Sequence, residues 1–439
     1  MVHPAGDPID PGLIKAYTVS EELIVVQGGS PIFGEVTVAG AKNSVLKLMA
    51  ATLLAPGATT IRNVPLISDV ILMGEVLTNL GAQVTFGDHE VCIDTSQVNS
   101  VETPYELVAQ MRASIAVLGP LIARFGKAHV AMPGGCQIGS RKLDMHISGL
   151  EALGVVFKVE HGFIDASIPQ GLTGGLAILD FPSVGATENL MMAATRAKGT
   201  TTIDNAAREP EIVDLAEFLI KMGAKITGAG TPTIEIEGVD ELYPIADYAT
   251  VGDRIEAGTF LVAGMLGAGP LKVKGVNPQH LEMALSKLRA MGAKLSVEDD
   301  SITISHKGPI SPVDIQTLPH PGFPTDLQAQ FMVLDLLAEG RSVISENVFE
   351  NRFMFADEIA RMGAEIRIEG HHAIINGVKR LSGAPVRSPD LRGGAALVLA
   401  GLIADGTTEI SGVEHIDRGY EDFVDKLTKL GANIKRVSP

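Results

Sequence analysis

The chain has 439 residues, of which 46% are hydrophobic and 20% charged, a composition typical of a soluble globular protein of about two to three domains. Its net charge of −17 argues against nonspecific binding to nucleic acid or to an anionic membrane surface. Two cysteines cannot form a disulfide framework, and the uncharged runs are shorter than the roughly 18 apolar residues of a membrane span. We therefore expect a cytoplasmic protein without a membrane span or a nucleic-acid partner.

The first 20 residues contain three prolines and two glycines and no long apolar run. Such a segment is predicted to form a flexible tail rather than a signal peptide. The first element after it is a predicted strand over residues 34–38, which leads to the motif Gly-Ala-Lys-Asn-Ser at 40–44. An apolar helix is predicted from Val45. Backbone N–H groups at a helix start, together with Lys42, can bind an anion, although a lysine in this position is more often solvated.

Cys136 lies in a glycine-rich segment, Pro-Gly-Gly-Cys-Gln-Ile-Gly-Ser-Arg at 133–141. The glycines favour a mobile loop, and the nearby Arg141 favours a lowered thiol pKa, which would make Cys136 a nucleophile or an acid. A lone cysteine is more often a small buried hydrophobe. We assign that ordinary role to Cys92, which lies in the alternating strand 90–94. Upstream of the loop, Arg112 enters an otherwise uncharged helix and must find an anion or stay at the surface.

One structural unit recurs six times along the chain. A Leu-Gly or Met-Gly pair repeats at intervals of about 70 residues, with its glycine at positions 81, 154, 223, 292, 363 and 431. In the third copy we predict a helix over 188–198, a strand over 200–204, a helix over 210–222 and two further strands over 224–227 and 233–237. One such unit cannot bury both sides of its sheet. We therefore predict an α/β fold in which six copies form two groups of three, with helices inside and sheets outside.

The second half of the chain carries a proline-rich run, 319–326, that ends in Asp326 before an apolar helix over 327–337. A capping aspartate is the more ordinary interpretation, and a general base fixed on a stiff backbone is the other. Further polar groups are predicted in loops at 350–353, 390–392 and 415–420. No metal-ligand spacing, P-loop or dinucleotide fingerprint is present.

Taken together, the motifs at 40–43, 133–136, 183–187, 323–326 and 415–420 resemble those of the enolpyruvyl transferase family, in register from about Leu23 to Val437. This resemblance implies a two-domain inside-out α/β barrel, with three βαβαββ units in each domain. The first domain would comprise residues 42–250 and carry the Cys136 loop. The second would comprise 21–41 and 251–439, and residues 1–20 would form the tail.

The resemblance is specific for the branch of the family that acts on UDP-N-acetylglucosamine. It implies transfer of the enolpyruvyl group of phosphoenolpyruvate to the 3′-hydroxyl of that sugar nucleotide, with release of phosphate, as the first committed step of peptidoglycan synthesis. These two small molecules would be the substrates, no cofactor or metal is expected, and we expect a monomer. Asp326 would accept the hydroxyl proton, and Cys136 would act as general acid and as the target of fosfomycin.

The family's functional residues map onto the following positions of this chain. Those with catalytic roles would be Cys136, Asp326, Lys42, Arg418, Asp390 and Arg392. Those binding the substrates would be Lys42, Asn43, Arg112, Arg141, Lys142, Leu143, Asp144, Met145, Ser183, Val184, Gly185, Asp326, Val348, Arg352 and Arg418. Lys142 stands where many relatives have proline, so the cysteine loop is expected to be less stiff.

Three alternatives remain open from the sequence. An EPSP synthase would use the same donor with a shikimate acceptor, but the Cys136 loop and the pair Lys42 and Asn43 argue against it. A noncatalytic UDP-sugar sensor would be expected to lack Cys136, Asp326 or Lys42, and all three are present. A ring-forming clamp would need a basic inner face, which the net charge of −17 disfavours.

Overall fold

The computed structural model describes residues 22–108, 111–132, 143–267 and 269–438. The predicted tail and the segment from Pro133 to Lys142, with Cys136 and Arg141, lie outside the described residues. The chain divides into two compact units. Within the described residues, the first unit comprises 40–108, 111–132 and 143–251, and the second comprises 22–39, 252–267 and 269–438. The predicted domain limits, 42–250 and 21–41 with 251–439, remain our proposal for the folding units.

The first half of the chain contains three stretches of alternating strands and helices. The first contains β1 (Leu23–Gln27), β2 (Gly34–Thr37), α1 (Lys42–Ala51), a 3-10 turn (Thr52–Leu54), β3 (Ala58–Arg62), α2 (Ser68–Asn79), β4 (Gln83–Gly87) and β5 (Glu90–Asp94). The second contains α3 (Tyr105–Val108), a 3-10 helix (Arg112–Val117), α4 (Leu118–Phe125), β6 (Lys127–Ala131), α5 (Asp144–Glu151), β7 (Val156–Glu160) and β8 (Phe163–Ser167). The third contains β9 (Leu176–Ile178), α6 (Val184–Ala194), β10 (Thr200–Asp204), α7 (Pro210–Lys221), β11 (Lys225–Thr227) and β12 (Thr233–Glu237).

The second half continues the same alternation. The fourth stretch contains β13 (Tyr248–Ala249), α8 (Arg254–Leu266), β14 (Leu271–Lys274), a 3-10 turn (Pro278–Leu281), α9 (Glu282–Ala290), β15 (Lys294–Val297) and β16 (Ser301–Ser305). The fifth contains β17 (Ile315–Gln316), a 3-10 turn (Thr325–Leu327), α10 (Gln328–Leu336), β18 (Arg341–Ser345), α11 (Ala356–Ala360), β19 (Glu365–Glu369) and β20 (His372–Asn376). The sixth contains β21 (Pro385–Arg387), α12 (Leu391–Ile403), β22 (Thr407–Ser411), α13 (Val413–Asp417), α14 (Phe423–Lys429) and β23 (Asn433–Val437).

These strands form six small sheets in the described part of the chain, one for each predicted copy of the unit. In the third copy β9 pairs parallel with β10, and β12 pairs antiparallel with both β10 and β11. Three sheets take a strand from a distant part of the chain: β1 joins β22 and β23, β2 joins β14, and β13 joins β3. The predicted α/β fold of six repeated units is confirmed.

Small residues allow the inner helices of each unit to pack closely. In the second unit, α8 and α12 each bury twelve of thirteen residues, and α10 buries all nine. These three helices contact one another. A Cβ added to Gly258 would lie 2.5 Å from the side chain of Leu327. In the first unit, a Cβ on Gly119 would lie 2.4 Å from the carbonyl oxygen of Asn189, which joins α4 to α6. At these two positions, close packing of the helices therefore requires glycine.

Several local predictions need correction. Helix α1 begins at Lys42, three residues before the predicted start at Val45. The polar groups at 391–392 and 415–417 lie in α12 and α13 rather than in loops.

The limits of α6 and the role of Cys92 also differ from the prediction, and α6 ends at Ala194 instead of 198. Helix α6 begins at Val184, four residues before the predicted start, because the Ser183 hydroxyl caps it by accepting a hydrogen bond from the Ala186 N–H at 3.3 Å. Cys92 is only half-buried on β5, where Val91 and Ile93 are the buried residues, so its side chain does not belong to the core. Within the described residues, no helix is long and apolar enough to cross a membrane.

Candidate active site

In each unit, several predicted site residues lie at the starts of inner helices. Lys42 is the first residue of α1, Arg112 begins the 3-10 helix that runs into α4, and Ser183 caps α6. In the second unit, Asp326 lies in the 3-10 turn before α10, and Asp390 caps α12. Because the copies share one architecture, these polar residues occupy related places within their own units, close to helix N-termini.

Lys42 is held by a buried carboxylate in the first unit. Its Nζ lies 2.8 Å from Oδ2 of Asp69, and the two side chains are 12% and 2% exposed. The solvated lysine that one interpretation of the sequence allowed is therefore wrong. Asn43 is half-buried beside it, and its carbonyl oxygen accepts a hydrogen bond from Lys47 Nζ at 2.9 Å.

Below this helix start lies a second buried ion pair that the sequence analysis missed. Lys47 Nζ lies 3.4 Å from Oε1 of Glu188 on α6, whose side chain is 2% exposed. Burial raises the pKa of the Glu188 carboxyl to about 7, with Lys47 opposing the shift and Glu211 and Glu209 adding to it. Glu188 therefore titrates near neutral pH.

Arg112 and Gly185 lie close to a buried histidine. His146 on α5 is 6% exposed, and its Nδ1 accepts a hydrogen bond from Asn189 Nδ2 at 3.2 Å. Burial, followed by the charge of Arg112, lowers the pKa of His146 to about 4, so the imidazole is neutral. A Cβ on Gly185 would lie 3.1 Å from Nε2 of His146. Arg112 and Gly185, two predicted binding residues, are thus both neighbours of His146, which the sequence analysis did not select.

The remaining predicted residues of the first unit lie at the starts of α5 and α6. Leu143 is buried, whereas Asp144 is exposed and its Oδ1 accepts a hydrogen bond from the Met145 N–H at 2.9 Å. Met145, Ser183 and Val184 are half-buried. Cys136, Arg141 and Lys142 lie outside the described residues.

Asp326 is clamped between two arginines in the second unit. Arg352 Nη2 lies 2.7 Å from Oδ1, and Arg392 places Nη2 at 3.0 Å and Nε at 3.3 Å from Oδ2. Both guanidinium groups are buried, with side chains 5% and 3% exposed. The capping role that competed with the catalytic one is wrong, since Pro324 occupies the N-cap position of this turn.

The clamp determines the charge of Asp326. Burial alone would raise the pKa of this carboxyl, but Arg352 and Arg392 outweigh it through their charges and hydrogen bonds and hold the pKa well below its usual range. The carboxylate therefore carries a negative charge throughout the neutral range. Its basicity is correspondingly reduced for as long as both arginines are bound.

Arg392 has contacts both at its backbone, where α12 begins, and at its guanidinium group. Asp390 caps α12, and its Oδ1 accepts hydrogen bonds from the backbone N–H groups of Arg392 at 2.8 Å and Gly393 at 3.1 Å. The guanidinium carbon lies 5.2 Å from the ring centroid of Tyr420. The Tyr420 hydroxyl lies 2.9 Å from Oγ1 of Thr259 and accepts a hydrogen bond from Gln330 Nε2 at 3.1 Å. One residue each from α8, α10 and the segment after α13 thus supports this arginine.

Arg418 and Val348 complete the predicted residues of the second unit. Both are half-buried. Burial lowers the pKa of His415; Glu414 and Asp390 oppose the shift, and Arg418 adds to it. His415, Arg418 and Asp390 are therefore electrostatic neighbours. Among the described residues, no group of three or more His, Cys, Asp or Glu side chains is placed to hold a metal ion.

Comparison with known proteins connects this arrangement to a family. The family model for EPSP synthase (3-phosphoshikimate 1-carboxyvinyltransferase) matches residues 26–427. A UDP-N-acetylglucosamine 1-carboxyvinyltransferase from Trichlorobacter lovleyi is 51% identical over 419 residues, which cover 95% of this chain and 99% of that protein.

Two solved structures share the fold. The enolpyruvyl transferase NikO from Streptomyces tendae is 28% identical and aligns with a TM-score of 0.86 over 96% of this chain and 100% of its own. An EPSP synthase from Acinetobacter baumannii is 19% identical and aligns with a TM-score of 0.76 over 95% of this chain and 100% of its own. The second likeness concerns the fold alone.

Proposed function

The chain belongs to the EPSP synthase family of enolpyruvyl transferases, and on this premise we propose that it transfers the enolpyruvyl group of phosphoenolpyruvate to the 3′-hydroxyl of UDP-N-acetylglucosamine, with release of phosphate. The observation that carries this choice of acceptor is the 51% identity, over 95% of the chain, to a UDP-N-acetylglucosamine 1-carboxyvinyltransferase. The reaction would be the first committed step of peptidoglycan synthesis, with a cytoplasmic location and two small-molecule substrates.

The charged residues suit the chemistry of this transfer. Lys42, Arg141 and Arg418 bind the carboxylate and phosphate of phosphoenolpyruvate through charge-assisted hydrogen bonds. The sugar hydroxyl attacks C2 of phosphoenolpyruvate and loses its proton to Asp326, while Cys136 protonates the methylene carbon. The resulting tetrahedral intermediate then expels phosphate and returns a proton from the former methylene carbon to the Cys136 thiolate, which restores the double bond.

Asp326 and Asp390 also have an electrostatic role. Positive charge develops at C2 during addition, and a nearby fixed carboxylate stabilises it. The clamp on Asp326 guarantees its negative charge but weakens it as a base. We therefore propose that substrate binding loosens one arginine contact, which raises the pKa of Asp326 at the moment when it takes the proton.

A shikimate acceptor is the second candidate, because the matching family model is described as 3-phosphoshikimate 1-carboxyvinyltransferase. The two candidates share donor and chemistry and differ only in the acceptor pocket. Phosphate release with phosphoenolpyruvate and each acceptor in turn separates them directly.

The decisive experiment measures phosphate release by the wild-type protein and by Cys136→Ser, with Cys92→Ser as a matched cysteine control. Release with UDP-N-acetylglucosamine but not with shikimate 3-phosphate, altered in Cys136→Ser and unaltered in Cys92→Ser, supports the proposal. Release with shikimate 3-phosphate alone would replace it by the second candidate. Binding of UDP-N-acetylglucosamine without phosphate release would leave a sugar-nucleotide sensor.

A further inference from the structure

A buried glutamate lies behind the Asp326 clamp. Glu346 follows β18 and is 2% exposed. Within the described ranges, no lysine, arginine or histidine forms an ion pair with it, and its carboxylate is satisfied by four hydrogen bonds instead. Oε1 accepts from Thr317 Oγ1 at 2.8 Å, Val348 N–H at 2.9 Å and Phe349 N–H at 3.0 Å, and Oε2 accepts from Thr325 Oγ1 at 2.8 Å. A buried carboxylate with four directed donors is a rigid hub.

The direction of the bonds at Thr325 is fixed by chemistry. The guanidinium of Arg352 can only donate, and its Nη1 lies 3.0 Å from the Thr325 hydroxyl oxygen. Oε2 of Glu346 accepts a hydrogen bond from the Thr325 hydroxyl at 2.8 Å. The single hydroxyl proton of Thr325 must therefore point to Glu346, and its oxygen accepts from Arg352. Glu346 thus determines the orientation of Thr325, and Thr325 determines where one arm of the guanidinium lies.

The other arm of the same guanidinium holds Asp326. Arg352 Nη2 lies 2.7 Å from Oδ1, and the guanidinium carbon lies 5.4 Å from the ring centroid of Phe349, whose N–H is bound to Glu346. Two routes consequently lead from Glu346 to Arg352, one through Thr325 and one through the segment 348–349. A displaced Arg352 would leave Asp326 with only the contacts of Arg392 in the clamp.

We propose that Glu346 is a positioning residue for the transfer reaction, which orients Arg352 and hence Asp326 through Thr325, and orients Val348 through its backbone N–H. The inference rests on the proposed function and adds a residue to it. Glu346 touches neither substrate nor reacting atoms in this scheme. Its effect is on geometry, and misplacement of a catalytic group by about 1 Å can lower the rate about a hundredfold.

The test compares Glu346→Gln and Thr325→Val with the exposed Glu339→Gln as a matched control. In Glu346→Gln the new amide N–H₂ replaces an acceptor, so the Thr325 proton loses its partner. Thr325→Val replaces the hydroxyl by a methyl group and thereby removes the link from Glu346 through Thr325 to Arg352, which we call the relay. We expect kcat/KM for UDP-N-acetylglucosamine to fall about ten- to a hundredfold in both variants and to be unchanged in Glu339→Gln. Thr325→Ser, which keeps the hydroxyl, should retain more activity than Thr325→Val.

Two readouts distinguish positioning from a loss of folded protein. The acid limb of the kcat/KM profile should move to higher pH in both variants, because a loosened Arg352 no longer depresses the pKa of Asp326 as strongly. The double variant Glu346→Gln with Thr325→Val should have the same acid limb of kcat/KM as Thr325→Val alone, because Thr325→Val by itself already removes the relay. The KM for the sugar nucleotide should rise further in variants of Glu346 than in Thr325→Val, through the Val348 route.

Full activity in Glu346→Gln, or an acid limb that stays in place in both variants, overturns the inference while leaving the proposed function intact. An additive shift of the limb in the double variant also overturns it, because it would mean that Glu346 does not act through Thr325. A wild-type protein that releases no phosphate with UDP-N-acetylglucosamine overturns the proposed function itself, and this inference with it. Should Glu346→Gln fail to fold, judged by circular dichroism, Thr325→Val and Thr325→Ser still decide the relay.

Discussion

Arg352 Nη2 lies 2.7 Å from Oδ1 of Asp326, and this contact makes the proposed catalytic base a charged but weakly basic carboxylate. The same guanidinium donates through Nη1 to the Thr325 hydroxyl at 3.0 Å. Its Nε has no hydrogen-bond partner among the residues that the structure describes. Because both terminal nitrogens are bound, Arg352 cannot move far without losing contacts. Its replacement should therefore change the pH dependence of the proposed reaction.

Replacing Arg352 by methionine is expected to shift the pH dependence of catalysis. With one guanidinium removed, the pKa of Asp326 rises toward its usual range. A base acts in its ionised form, so activity is lost as pH falls through that pKa, and the acid limb of kcat/KM should move to higher pH. Profiles that begin at about pH 3 and extend to neutral pH measure this. Arg361→Met removes an arginine whose side chain is 63% exposed and should leave the limb unchanged. An identical limb in wild type and Arg352→Met would contradict the role of the clamp.

Substitutions at Lys42 and Asp69 should distinguish an effect on stability from an effect on phosphate release. Lys42→Met removes a cation proposed to bind phosphoenolpyruvate and also leaves Asp69, 2% exposed, without that ion pair. Breaking a buried pair in this way costs about 3 kcal/mol of unfolding free energy. Adding Asp69→Asn removes the uncompensated charge and should restore much of the stability, while phosphate release stays impaired. Thermal unfolding and the phosphate assay measure the two effects. Recovery of activity together with stability would show that Lys42 is purely structural.

Glu188 should make the stability of the protein depend on pH. Its pKa is raised to about 7 by burial, opposed by Lys47 and aided by Glu211 and Glu209. Between the usual glutamate pKa, about 4.3, and 7, the folded state binds more protons than the unfolded one, so this group makes stability fall as pH rises through that window. Glu188→Gln cannot titrate and should reduce the fall in melting temperature between pH 5 and 8; the part that remains is expected from Glu256 and Asp335, whose pKa values burial also raises to about 7.

The exposed Glu237→Gln serves as the control for this measurement, because its side chain is 59% exposed. It should show the wild-type dependence of melting temperature on pH. An unchanged slope in Glu188→Gln would mean that the carboxyl does not titrate in this range.

Tyr420→Phe tests the buried network under Arg392. The hydroxyl is bound to Thr259 and Gln330, and its loss is expected to cost about 1 kcal/mol of unfolding free energy, because a net buried hydrogen bond is worth about that much. Gln330 Nε2 retains its bond to Thr259 Oγ1 at 3.1 Å, which limits the cost. Urea unfolding measures the change. Tyr243→Phe, at a residue 60% exposed, should be nearly neutral. Equal effects of the two substitutions would rule out a special role for the network.

The sequence by itself determined the fold to a large extent. The glycines at about 70-residue intervals and the alternation of strands in each copy predict six equivalent units, because turns and periodicity are local properties. Strands 200–204 and 233–237 have the predicted limits. The start of α6 was missed because the signal lies in one hydroxyl, that of Ser183, rather than in a periodic pattern.

The partners of each charged group were decided only by the tertiary structure. Nothing near Asp326 in the chain indicates that Arg392, 66 residues away, contacts this carboxylate and, together with Arg352, lowers its pKa. The role of Glu346 has no sequence motif at all, since its four donors come from three separate segments. Residue types and spacing predict which groups are available for chemistry. Burial and long-range packing decide which of them meet, and thereby set their charges, because both the desolvation of a group and its neighbours depend on the folded chain.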